Sequence, residues 1–153
     1  MEWKTVLNRT NAIRGNGRNK LRTYRLFKSD YEVESYCTIV LPFSHRSAFA
    51  KFRCGVAPLK VETGRYEGIV ENDRLCPFCN NVIEDESHVI LRCAMYQDIR
   101  KELMLKAISL DANFQYFNDY NKIKFLFSNK DLIRMCAKTC FNILQERRNL
   151  LYK

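Results

Sequence analysis

Apolar positions recur at helical spacing along most of this chain. Between Pro42 and Gly55, Ala48, Phe49 and Phe52 form one stripe, with Ser44 as the expected N-cap and Gly55 as the residue just past the end. Arg46, Lys51 and Arg53 fall on other sides of that helix. Tyr96, Ile99, Leu103 and Ala107 recur at i, i+3, i+7 and i+11, with Asp98 and Glu102 facing outward. Ser128-Asn129-Lys130-Asp131 is a capping pattern that opens a long helix marked by Leu132, Met135, Cys136, Cys140, Ile143, Leu144 and Leu151. Near the start, Trp3, Val6 and Leu7 predict a short helix broken at Asn16-Gly17. A second helix is expected over Asn19–Ser29, with Leu21, Tyr24 and Leu26 or Phe27 on one side.

Other stretches are less periodic. Tyr36 to Leu41 is rich in β-branched and aromatic residues and reads as extended, with Cys37 in the core. Ala57 to Tyr66 reads as a connection turning at Thr63-Gly64. From Asp111 to Phe127, Phe114, Phe117, Phe125, Leu126 and Phe127 read as core groups. The pattern as a whole predicts a mostly α-helical fold in three parts. Residues 1–43 are a basic helical segment, 44–110 a central core, and 111–153 a helical segment packed on that core.

One run interrupts the helical periodicity and organises what surrounds it. Cys76-Pro77-Phe78-Cys79 is followed by His88 and Cys93, giving C-x2-C-x8-H-x4-C. Three thiolates and an imidazole are the ligand set of a tetrahedral zinc site, and a set of four leaves no open position. Two intervening residues let a tight turn aim Cys76 and Cys79 at one ion, while His88 and Cys93 are five apart, about one helical turn and its end. Glu84-Asp85-Glu86-Ser87 suits a helix start, with Asp85 or Ser87 as cap. The pair Cys76 and Cys79 also resembles a redox dithiol. That chemistry needs a helix beginning at the first cysteine and a later proline, whereas Asn80-Asn81 follow at once and no proline occurs after Pro77. The expectation is one structural Zn²⁺ held by Cys76, Cys79, His88 and Cys93, in a turn-helix element at the centre of a small helical domain.

Seven cysteines, four residues of metal-ligand type at metal spacing and no leading apolar segment point to an intracellular protein in a reducing compartment rather than a disulfide framework. Cys54 is expected to stand outside the metal site, and Cys136 and Cys140 to serve as small buried hydrophobes. No apolar run is long enough to cross a bilayer, so no membrane partner is expected.

Charge adds a partner. The net charge is +9, and the first 28 residues carry eight basic groups against one acid, leaving 18 basic and 16 acidic residues elsewhere. Arg18, Arg22 and Arg25 fall at i, i+4 and i+7, so one helix face could meet successive phosphates, with Tyr24 available to stack. Arg18, Lys20, Arg22, Arg25, Lys28, Arg46 and Arg53 are the candidate nucleic-acid contacts; His45 reads as a first-turn surface residue. A protein–protein adaptor stabilised by zinc is the alternative. No acid pair, nucleophile–base pair or open metal site is visible, so neither catalysis nor a small-molecule substrate is expected.

The run Arg46…Phe52-Arg53…Leu59…Gly64-Arg65-Tyr66…Arg74-Leu75-Cys76-Pro77-Phe78-Cys79…Glu86-Ser87-His88-Val89-Ile90-Leu91-Arg92-Cys93…Tyr96…Ile99-Arg100 resembles the CCHC zinc-binding region that ends the reverse transcriptases of non-LTR, LINE-like retrotransposons. The resemblance covers about residues 44–100. It implies zinc ligation by Cys76, Cys79, His88 and Cys93, an upstream polymerase domain as partner, a nuclear location, and a part in positioning template RNA or target DNA during target-primed reverse transcription. The polymerase's paired aspartates are absent, since no Asp-Asp occurs. The Pro-Asp mark of the nuclease found in some relatives is absent as well, since no proline follows Pro77. The resemblance therefore implies a terminal fragment or a standalone derivative without catalysis.

Overall fold

The structure is a computed structural model that describes residues 23–28 and 31–153. The helix expected at Trp3, Val6 and Leu7, and the candidate contacts Arg18, Lys20 and Arg22, lie outside the described residues. Helices run in the order α1 (Tyr24–Phe27), α2 (Ser35–Thr38), α3 (Phe43–Cys54), α4 (Lys60–Tyr66), α5 (Gln97–Leu110), α6 (Asp119–Ser128) and α7 (Ile133–Leu151). Among the described residues there is no strand, only an isolated antiparallel bridge between Leu75 and Ile83. The expected mostly helical class, built around a Cys/His turn-helix element, is the one observed.

α7 is the axis of the molecule. It packs on α3, α5 and α6, and its contact with α3 is the broadest. The faces are those the periodicity predicts: Ala48, Phe49 and Phe52 on α3, Leu103 and Ala107 on α5, and Cys136, Cys140 and Ile143 on α7 are all buried in one core. Each large side chain buried there contributes about 1.5–3 kcal/mol. Phe49 stacks on Phe127 at 5.0 Å between centroids, joining α3 to the end of α6.

Helix ends follow local chemistry in some places and distant partners in others. α3 closes in a Schellman motif: Gly55 takes the left-handed conformation (φ 71°), Gly55 N–H donates to Phe52 O and Val56 N–H to Lys51 O. At its start Pro42, not Ser44, is the cap; Pro42 O accepts from Arg46 N–H, and Ser44 lies inside the helix. The helix α6 was not legible as an element, although Asn118 caps it by accepting from Asn121 N–H. Ser128 ends α6 rather than opening α7; the turn between them is set by Asn129 Oδ1 accepting from Asp131 N–H.

Two expectations are corrected outright. Ser35–Thr38 is a helical turn, not an extended segment, and Cys37 is exposed rather than core. A β-prone run gains nothing without a neighbouring strand. Here Tyr36 instead lays its ring on Phe49 at 5.1 Å, while Glu34 pairs with Arg53. Residues 60–66 are a helix, not a connection. Its first N–H, from Lys60, donates to the carboxylate of Glu84 at 2.6 Å, and Val61 N–H donates to Glu84 O. That cap lies 24 residues downstream, where no local pattern reveals it. Gly64 sits mid-helix because the Arg74 side chain lies against it; a Cβ there would come within 2.7 Å of Arg74 Cγ.

Candidate metal centre

The Cys/His element begins as a tight loop. Cys76 N–H donates to Val82 O, Asn80 N–H donates back to Cys76 O, and Asn80 takes a left-handed conformation (φ 59°) to close the turn. The Leu75–Ile83 bridge ties the loop's two arms. The loop holds Cys76 and Cys79 on one side. The chain then enters a helical turn whose N-cap is Asp85, accepting from His88 N–H at 2.8 Å. From His88 to Arg92 the turn widens to the π form, and Cys93 N–H donates to His88 O at 2.7 Å. This five-residue bond explains the x4 spacing: it folds Cys93 back beneath His88, so both side chains reach one point.

All four ligand atoms lie within 4.8 Å of one another. The Cys93 sulfur is 3.9 Å from that of Cys76 and 3.8 Å from that of Cys79. A disulfide would require about 2.0 Å. Metal–sulfur bonds of about 2.3 Å in a tetrahedron place sulfurs about 3.8 Å apart. The spacing thus fits a shared ion and not a covalent bridge. His88 is buried with both ring nitrogens unpartnered, an arrangement that leaves a lone pair for an ion. The residues present therefore fit one metal ion held by three sulfurs and one nitrogen, as the spacing predicts.

Burial pushes the Cys93 thiol up to about 12 and raises that of Cys76, so neither ionises at neutral pH unless a cation displaces its proton. Burial lowers His88, which keeps the imidazole neutral and its lone pair available at neutral pH. With three thiolates and a divalent ion the centre carries one negative charge. Arg100, itself buried, donates to the carbonyl of the ligand Cys93 at 2.6 Å. Phe78 meets Tyr96 edge-on at 6.1 Å.

The residue that wires this centre into the fold was not anticipated. Glu84 is fully buried four positions before His88, and every polar group it has is bonded. Its N–H donates to Arg74 O, and its carbonyl accepts from Val61 N–H. Its carboxylate accepts from Lys60 N–H and, in a two-point fork at 2.8 Å each, from Arg147 of α7. One signal could have found the partner. Arg147 follows Cys136, Cys140 and Ile143 at i+11, i+7 and i+4, on the buried stripe of α7, and a charge on a buried stripe needs an opposite charge.

The remaining cysteines stand apart from the metal site. Cys54 is half-buried at the end of α3, and Cys136 and Cys140 are buried on α7. Cys136→Ala is therefore expected to leave metal content unchanged, at one ion per chain by elemental analysis. A loss of metal with that substitution would show that the ligand set is wrong.

The candidate phosphate contacts have separate fates. Arg53 does not face outward: it is buried, paired with Glu34 at 2.5 Å, donates to Phe127 O, and lies 4.6 Å from the centre of the Phe27 ring. Its position on α3 beside Phe52 and Phe49 swings it into the cleft beneath α1 and α2. Lys28 is held by Glu34 at 3.1 Å and by the Glu32 carbonyl. Arg46 donates to Ile39 O, bracing the approach to α3. Arg25 lies on α1, where its backbone alone is described. His45 lies against Phe141 of α7 with the rings tilted and their centroids 5.0 Å apart. Among the described residues no helix is long and apolar enough to cross a membrane. No family model, no curated protein and no solved structure matches this chain.

Proposed function

We propose that this chain is a zinc-stabilised nucleic-acid-binding module, of the kind that ends LINE-like reverse transcriptases, and that it serves binding rather than catalysis. The observation that carries the reading is the segregation of charge: eight basic residues against one acid in the first 28 positions, with the rest of the chain nearly balanced. Charge concentrated in this way focuses potential on one part of a molecule and attracts polyanions. The metal would be zinc, since soft thiolates and an imidazole in a closed tetrahedral set favour it. Its role would be to pin the segments on either side, leaving the basic segment of the chain to make contact. Template RNA or target DNA is the partner that the resemblance suggests, and the nucleus the place.

Binding to short RNA and DNA should weaken steeply with salt, by roughly one unit of log–log slope for each phosphate contact. The Arg18→Ala/Arg22→Ala/Arg25→Ala variant is expected to fold, retain its metal and lose most of its affinity. A salt-independent wild type, or undiminished binding by that variant, would favour the adaptor reading. For that second reading the supporting observation is the outer side of α5, where Leu105 is 59% exposed and Ile108 36% exposed.

A further inference from the structure

A second group of basic residues, outside the first 28 positions of the sequence, lies on α3 and α7. Along α7, Lys138, Phe141, Gln145 and Arg148, followed by Tyr152 just past its end, recur at spacings of three and four, so they share one edge of the helix. That edge runs beside α3, and two hollows open in the seam, of about 210 Å³ and 330 Å³. Lys51 of α3 and Leu144 and Arg148 of α7 line both, which makes them one continuous groove. Of the residues lining it the one acid is Glu67, and that is paired with Lys60 at 3.3 Å. Lys51 and Arg148, which line the groove, and Lys138, which lies on the same edge of α7 outside the two hollows, are exposed. At the groove's two ends stand Phe43, 87% exposed, and Tyr152, 80% exposed.

Exposed cations without acids among them attract a polyanion. Exposed aromatic rings beside cations are the platforms on which unpaired bases stack, and duplex bases, stacked on one another, cannot use them. We infer that the α3–α7 groove is a binding track for single-stranded nucleic acid, with Lys51, Lys138 and Arg148 on phosphates and Phe43 and Tyr152 under bases. The inference rests on the nucleic-acid reading above and gives it a location and a strand preference. Lys60 and Arg147, held by Glu67 and Glu84, form the walls rather than the contacts.

The test compares four full-length proteins: wild type, Lys51→Ala/Lys138→Ala/Arg148→Ala, Phe43→Ala/Tyr152→Ala, and Arg18→Ala/Arg22→Ala/Arg25→Ala. Each is titrated, across a range of salt, with a fluorescent 12-nucleotide single strand and with the matching duplex. All the groove substitutions are at exposed side chains, so metal content and melting temperature should match wild type. The groove-cation variant is expected to bind the single strand on the order of 10- to 100-fold more weakly, with a salt slope lower by about two units. The aromatic variant should lose about tenfold on the single strand and little on the duplex. If the groove variants bind like wild type while the Arg18/Arg22/Arg25 variant is impaired, the groove inference is wrong and the nucleic-acid reading stands. A single-strand preference that survives loss of Phe43 and Tyr152 overturns the stacking assignment. A wild type with no salt-dependent binding to either form overturns both.

Discussion

Chains carrying His88→Ala or Cys93→Ser are expected to lose their metal and, with it, the cooperative fold of the centre. Without an ion, three buried or half-buried thiols and a buried imidazole face one another with no strong partner. Binding free energies for structural zinc in small domains reach about 10–16 kcal/mol, against a total stability of about 5–15 kcal/mol for a typical domain. Removing one ligand of four thus forfeits energy comparable to the whole. The damage would spread along a defined route. Val89 and Ile90 lie on the turn that His88 and Cys93 close, and Tyr96 on the short turn that follows it; all three are fully buried. Arg100 loses its acceptor when the Cys93 carbonyl moves. Hydrogen exchange should show protection lost first from the loop and π turn and then from α5. A variant that lacks metal yet melts within a few degrees of wild type would contradict this.

The second large effect is expected at Glu84 and Arg147. Arg147→Ala should destabilise by about 3–5 kcal/mol, because it strands a buried carboxylate. Glu84→Ala should cost at least as much, since it also leaves Lys60 N–H without its acceptor at the start of α4. In a chain of this size that corresponds to a fall in melting temperature of about 10 °C or more. The cause is uncompensated charge rather than a lost attraction, so a paired substitution discriminates. Glu84→Gln with Arg147→Met removes both charges, keeps an oxygen for Lys60 N–H, and should recover most of the loss. If Arg147→Ala melts like wild type, the fork does not hold the metal loop to α7.

What could be read from the chain, and what could not, divides along the range of the interactions. The Cys/His cluster was legible because metal chemistry dictates residue types and spacings that few other causes produce. The buried faces of α3, α5 and α7 were legible because each is a long amphipathic helix. α4 was missed because its cap is the carboxylate of Glu84, distant in sequence, and because Gly64 imitates a turn while making room for Arg74. Arg53 was misplaced because the position of a charge on a helix does not say which way a long side chain reaches; Glu34 and the Phe27 ring draw it inward. The exposure of Cys37 was not legible because the β propensity of its short run is outweighed by the helical turn that Tyr36 and Glu34 anchor on α3. In each case the deciding partner is far along the chain.

The central claim is that one metal ion at Cys76, Cys79, His88 and Cys93 holds the fold together through Glu84 and α7. The most direct test is native mass spectrometry of protein purified without chelator, followed by the same protein after stepwise metal removal, with melting recorded at each step. The account predicts a mass increment of one zinc per chain and a melting transition that falls in proportion to the zinc removed and returns when it is restored. A metal-free chain with the same melting temperature and the same exchange protection at residues 76–93 would contradict it.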